Sequence, residues 1–203
     1  MRALLSIPAS FLLAISAASA ADTRRMPMDG WVDAVQMTLQ TQCTQHSAEQ
    51  KMAATRKDEE TSRLAAISVG FACECMPQGI AGYRSAMPGG DRTRIVSYDE
   101  FRASFSPVMN KCAAAQTRSE LSTLCAHDKS FSEGAAGRRA YCECFSSRLQ
   151  AMDDDTLASA AEAAYAGLQA RSKAIKESRP APASSSKRSF LDEIGASCRA
   201  AAR

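Results

Sequence analysis

The sequence has little that a catalytic reading could use. Only 6% of its 203 residues are aromatic, with one tryptophan and two histidines, His46 and His127. It has no G-x-S-x-G elbow, no H-E-x-x-H and no phosphate-binding P-loop, which excludes three large enzyme classes by their signatures. C-x-x-C-H is absent, so covalent haem attachment is excluded in the same way. There is no C-x-x-C at a helix start, the arrangement that lowers a thiol pKa for redox work. No Asn-x-Ser/Thr acceptor occurs, and together with the simple organisation that favours a bacterial source. Charge of one sign is also lacking: 25 basic residues face 22 acidic ones. With no aromatic-laced basic patch, nucleic acid is not an expected partner.

What is present begins with a leader. MRALLSIPASFLLAISAASAAD carries one positive charge, Arg2, then an apolar run to about Ala17, then the small-x-small site Ala18-Ser19-Ala20. This reads as a secretory signal peptide over residues 1–20, too short and too interrupted at Pro8 to span a bilayer. No second long apolar run is evident after it, so no membrane insertion is expected once the leader is removed. Arg2 leaves with the leader, so the mature net charge falls from +3 to +2.

Eight cysteines follow, all in the mature part: Cys43, Cys73, Cys75, Cys112, Cys125, Cys142, Cys144 and Cys198. An even count in an exported chain reads first as disulfides formed in an oxidising compartment. The pattern C…CxC…C occurs twice, with spacings of 30 and 37 in the first half and 17 and 54 in the second. Each closing cysteine precedes alanines, in KCAAAQ and SCRAAA, and each has a Ser-Phe shortly before it, at Phe105 and Phe190. The expectation is an ancient duplication. Repeat one would cover 21–116 and repeat two 117–203, the latter containing a Pro/Ser linker at 179–189.

The fold class expected is all-α: two tandem C…CxC…C helical repeats, each stapled by two disulfides. Alanine is abundant, β-branched residues are few, and apolar residues recur at helical intervals. Trp31, Val35, Leu39 and Cys43 form one stripe; Leu64, Ile67, Phe71 and Cys75 form another. Ser97 to Glu100 is a capping box opening a helix with the stripe Tyr98, Phe101, Phe105, Val108 and Cys112. Pro107 is an expected kink in it. The end of repeat one is expected to continue into repeat two as one helix. In the second half, Tyr141, Phe145, Leu149 and Met152 share a face. Asp153-Asp-Asp-Thr then starts an alanine-rich helix carrying Leu157, Ala161, Tyr165 and Leu168, and Phe190, Ile194 and Cys198 lie on a last one. Loops are expected at 87–94, 128–137 and the Pro/Ser linker.

The doubled Cys-Glu-Cys has a geometric meaning. Successive residues of an α-helix turn by about 100°, so two cysteines one residue apart point to nearly opposite flanks. They cannot easily bond each other, but each can reach a different neighbouring helix. Of the roughly one hundred pairings open to eight cysteines, only four stay within a half and never close inside CxC. Whether Cys43 takes Cys73 or Cys75, and Cys125 takes Cys142 or Cys144, stays open at this level.

Metal binding is the main rival. Cys43, His46, Cys73 and Cys75 in one half, and Cys125, His127, Cys142 and Cys144 in the other, are the set that zinc or copper would use. An oxidising compartment consumes thiols, and neither histidine spacing matches a common zinc motif. Both histidines are therefore expected to be exposed polar residues near a helix end, and no metal or cofactor is expected. The acids Asp153, Asp154 and Asp155 are read as complements to a helix N-terminus rather than a calcium or catalytic cluster.

YCECFSSRL resembles the central helix of a group of exported bacterial all-α proteins with a C…(Y)CxC…C framework, mostly uncharacterised. FACECMPQG is a poorer match, with Phe71 one place further from the cysteines. Some small periplasmic proteins of this kind act as immunity partners of secreted antibacterial toxins. The resemblance implies a periplasmic, non-enzymatic binding protein with a protein partner, such as an envelope-acting toxin. The expected plug is the Gly-rich turn Pro88, Gly89, Gly90, Asp91 and Arg92, whose bland reading is a solvated turn. A periplasmic zinc- or copper-binding protein and a structural or stress-related protein are the alternatives.

Overall fold

The computed structural model describes residues 25–127, 134–163 and 190–201. The leader, the Pro/Ser linker and the expected stripe positions Tyr165 and Leu168 lie outside them. The chain is all-α and stapled by four disulfides. Contacts divide it into two compact units, one ending at Gln116 and the other starting at Thr117.

The first unit opens with a short strand, β1 (Arg25–Pro27), and the helix α1 (Met28–Thr55). The inner stripe of α1 is buried at Met28, Val32, Val35, Leu39, Gln42 and His46. Its end is set by Lys57, which adopts φ 56°, while Arg56, Lys57 and Asp58 donate their N–H groups to Met52, Ala54 and Ala53. These bonds satisfy carbonyls that the end of a helix would otherwise leave open. Asp58 then caps α2 (Glu59–Val69), accepting from the Thr61 N–H at 3.0 Å and the Thr61 hydroxyl at 2.6 Å.

From α2 the chain passes without a break through a π-helical segment, Gly70–Cys75, into α3 (Met76–Ala86). The resulting rod, Glu59–Ala86, is long and apolar enough by length and composition to cross a bilayer. This corrects the expectation that no second long apolar run exists. Glu74 and the Pro77-Gln78 pair interrupt the run in the sequence and hide it. Its buried residues, Ala65, Ser68, Phe71, Ala72, Met76 and Ile80, face the core of the first unit.

A one-turn helix, α4 (Gly89–Arg92), and a second strand, β2 (Ile95–Ser97), lead to α5 (Tyr98–His127). β2 pairs antiparallel with β1, Met26 opposite Val96. The sequence reading missed this ribbon, because three-residue strands carry no detectable alternation. The capping box is formed: Ser97 N–H donates to Glu100 Oε2 at 2.7 Å, and Glu100 N–H donates to Ser97 Oγ at 3.2 Å. α5 runs through Pro107 without ending.

Aromatic rings fill the centre of this unit. Trp31, Phe101 and Phe105 are stacked in sequence, at 6.0 and 5.2 Å between centroids, and Tyr83 meets Phe105 edge-on at 5.1 Å. The Trp31 indole N–H is satisfied by Val96 O at 3.2 Å, as a buried indole requires.

The second unit takes residues 117–127 of α5, α6 (Gly134–Gln150), a helix over 154–163, and α8 (Phe190–Ala201), the 154–163 helix being α7. Gly134 to Gly137, expected in a loop, are helical, with Gly134 at φ 72°. Phe145, Leu149, Leu157 and Cys198 are buried. Asp153 caps α7 by accepting from Thr156 N–H at 2.8 Å.

Candidate functional site

All eight cysteines are bonded: Cys43–Cys73, Cys75–Cys112, Cys125–Cys142 and Cys144–Cys198. The Cα–Cα distances, 5.1 to 5.8 Å, lie inside the range a disulfide spans. In both units the first thiol of the pair takes the cysteine before it, and the second takes the cysteine after it. The π-helical rod is therefore clipped to α1 by Cys73 and to α5 by Cys75. In the second unit α6 is clipped to α5 by Cys142 and to α8 by Cys144.

The two Cys-Glu-Cys segments reach this result from different backbones. Cys142 and Cys144 are on an ordinary α-helix. Cys73 and Cys75 are on the π-helical turn, not the α-helix expected, where each residue turns by less than in an α-helix. The wider turn admits an additional residue, so adjacent Phe71 and Ala72 both face inward. It also moves the buried face off the expected stripe: Leu64, Ile67 and Cys75 are only half-buried, and Ala65, Ser68 and Met76 take their place.

The metal reading loses its donors. A cystine sulfur carries no thiolate, and thiolate is what zinc and copper bind. Among the described residues no group of three or more His, Cys, Asp or Glu is arranged to hold a metal. His46 corrects its expectation. It is not exposed near a helix end but 5% exposed within α1, on the stripe that continues Leu39 and Gln42, with Nδ1 3.0 Å from Glu49 Oε2. His127 is half-buried as the last residue of α5. Asp153 caps a helix and Asp154 pairs with Arg118 at 2.7 Å.

The turn carrying Pro88, Gly89, Gly90, Asp91 and Arg92 is not a loose glycine loop. Pro88 precedes one turn of helix, Asp91 N–H donates to Pro88 O at 2.9 Å, and Arg94 N–H donates to Asp91 O at 3.2 Å. The Arg92 guanidinium donates to Arg84 O at 2.9 Å, and Arg94 pairs with Asp91 at 3.7 Å. Asp91 in the first turn complements the helix N-terminus here, which the sequence reading overlooked by weighting the glycines. Four of the five residues are exposed and Asp91 is half-buried.

Beside it lies a charged clamp that no local pattern announces. Arg84 on α3 donates to Gln36 Oε1 at 3.1 Å and bonds Asp33, with Asp29 Oδ1 3.8 Å from its Nε. Asp29, Asp33 and Gln36 are on one face of α1 at helical spacing, but Arg84 is about fifty residues away in the chain. The clamp joins α1 to α3. A cavity of about 200 Å³ at the α1–α2 turn is lined by Ala54, Lys57, Asp58, Glu59, Ser62 and Arg63. Three of its charged groups are already committed, since Arg63 pairs with Glu59 at 2.6 Å and Asp58 caps α2.

No protein-family profile, no curated protein and no solved structure matches this chain. Four disulfides by themselves point to an oxidising compartment.

Proposed function

We propose that this is an exported periplasmic binding protein without enzymatic activity, an immunity protein that occludes an envelope-acting toxin. The observation that carries the reading is the complete use of the eight cysteines as staples. Each staple closing a loop of this length contributes about 3–4 kcal/mol in the chain-entropy model. The result is a pre-organised helical scaffold, and pre-organisation is what lowers the entropic cost of binding a protein partner. The ordered turn Pro88–Arg92 holds Arg92 exposed and Asp91 half-buried on such a scaffold. The signal peptide at 1–20 and the duplication of C…CxC…C belong to the same proposal. The shared bonding order of the two units supports the duplication.

The test is growth of bacteria producing a periplasm-directed toxin encoded beside this gene, with and without the exported chain. Protection that is lost on replacing Asp91 and Arg92 by alanine supports the reading and its site. Undiminished killing, with the oxidised protein present in the periplasm, overturns it.

A further inference from the structure

The chain offers an oxidant no free thiol. All eight cysteines are bonded to one another, so the thiolate that oxidants attack first is absent. The methionine thioether is next, and exposure decides which one reacts. Met1 aside, all eight methionines lie within the described residues, and the fold sorts them into three levels. Met28 and Met76 are sealed, at 2% and 0% exposure. Met26, Met87, Met109 and Met152 are half-buried, the first three packed against the core of the first unit. Met37 and Met52 stand out at 69% and 53% exposure.

Both exposed methionines are on α1, about 22 Å apart along its axis and about 60° apart around it, so they share one flank. The helix is held by its other side, through Met28, Val32, Val35, Leu39, Gln42 and His46, and by the Cys43–Cys73 staple. A sulfoxide oxygen at Met37 or Met52 therefore faces water. At Met28 or Met76 the same oxygen would be a polar group enclosed in the core, which is costly without a partner. The Met28 sulfur already accepts from the Tyr83 hydroxyl at 3.5 Å. Trp31, the one indole, is 7% exposed with its N–H bonded to Val96 O.

We propose that Met37 and Met52 form a reversible oxidation site, which takes hypohalous acid ahead of every other side chain after the leader and leaves the fold intact. In each event hypochlorous acid delivers its oxygen to the sulfur. An S–O bond forms, the O–Cl bond breaks, and chloride and a proton leave. The sulfur gives up two electrons and the chlorine takes them. A methionine sulfoxide reductase, using two thiols, returns the sulfur to the thioether; the thiols become a disulfide and the oxygen leaves as water. Two equivalents of oxidant are thus consumed without loss of a staple or of core packing. The inference goes beyond the immunity reading and does not rest on it, since it needs neither a toxin nor the Pro88–Arg92 turn.

The test adds about two equivalents of hypochlorous acid to the disulfide-bonded chain without its leader and reads intact and peptide masses. The expected product is about 32 Da heavier, with sulfoxide at Met37 and Met52 at least about tenfold above that at Met28 and Met76 and several-fold above that at the four half-buried methionines. Circular dichroism and the thermal midpoint are unchanged, and a methionine sulfoxide reductase returns both peptides to their original mass. Met37→Leu combined with Met52→Leu conserves volume on an exposed flank and keeps the fold. In that variant the same dose passes to Met26, Met87, Met109 and Met152, and the thermal midpoint falls where that of the unsubstituted chain does not. Sulfoxide spread evenly over the eight methionines overturns the proposal, as does sulfoxide that appears first at a half-buried one. A thermal midpoint of the unsubstituted chain lowered by this dose, or sulfoxides that the reductase leaves in place, overturn it as well.

Discussion

A missing side chain decides how closely α3 approaches α5. A Cβ built on Gly79 would lie 2.5 Å from Val108 Cγ1. Gly79→Ala is expected to cost about 1–3 kcal/mol through overpacking, read from denaturant unfolding, and Val108→Ala in the same chain recovers part of it. Lys57 is the converse case. A left-handed backbone costs an L-residue about 1 kcal/mol or more, so Lys57→Gly should stabilise by roughly that amount. Three carboxyls are tuned by helix starts. Hydrogen bonds from Thr61 hold Asp58 below the ordinary carboxylate range, as those from Ser97 do for Glu100 and those from Thr156 do for Asp153. Folded pKa values below the unfolded ones give stability that is full above the ordinary carboxylate range. It is lost as pH falls through the folded values. The thermal midpoint should therefore drop on acidification. Asp58→Asn, which keeps a capping oxygen, should flatten that drop while changing stability little at neutral pH.

Elements are held by groups at their ends. Arg118, on α5, donates to Leu149 O at 3.1 Å and Met152 O at 2.6 Å and pairs with Asp154 at 2.7 Å. One guanidinium thus closes the last turn of α6 and anchors the start of α7, satisfying carbonyls that a helix end leaves open. Arg118→Ala should destabilise the second unit by about 2–3 kcal/mol, and Arg118→Lys should recover only part of that, since an ammonium cannot match the planar fork. Hydrogen exchange at amides 149–157 would locate the loss. At the other end of the chain, the β1–β2 ribbon ties the starts of α1 and α5. Met28 N–H donates to Arg94 O at 3.0 Å, and Arg25 pairs with Glu100 at 3.6 Å.

Across the whole molecule the disulfides fall into two kinds. Cys43–Cys73 and Cys125–Cys142 are half-buried at both ends. Cys75–Cys112 and Cys144–Cys198 have one sealed end, Cys112 at 3% and Cys198 at 0% exposure. Attack by a thiolate needs access to a sulfur, so a dithiol reductant should open the first pair of bonds before the second. Stepwise alkylation followed by peptide mass analysis reads the order. Simultaneous opening of all four, or the reverse order, would contradict this account. The intact oxidised chain should weigh about 8 Da less than the fully reduced one.

By itself the sequence determined the helical class, the buried positions Trp31, Val35 and Leu39 of α1, the capping box at Ser97 to Glu100 and the splitting of each Cys-Glu-Cys between two neighbours. These follow from local chemistry: side-chain period, cap residues and the angle between residues two apart. Only the tertiary structure decided that Cys73 takes Cys43 and Cys75 takes Cys112, because that choice depends on which flank of the rod each helix occupies. It also decided the π-turn at Gly70–Cys75, the burial of His46, the order in the Pro88–Arg92 turn and the Arg84 clamp. Each of these depends on partners tens of residues away or on close packing between helices, and no periodicity along one segment carries that information.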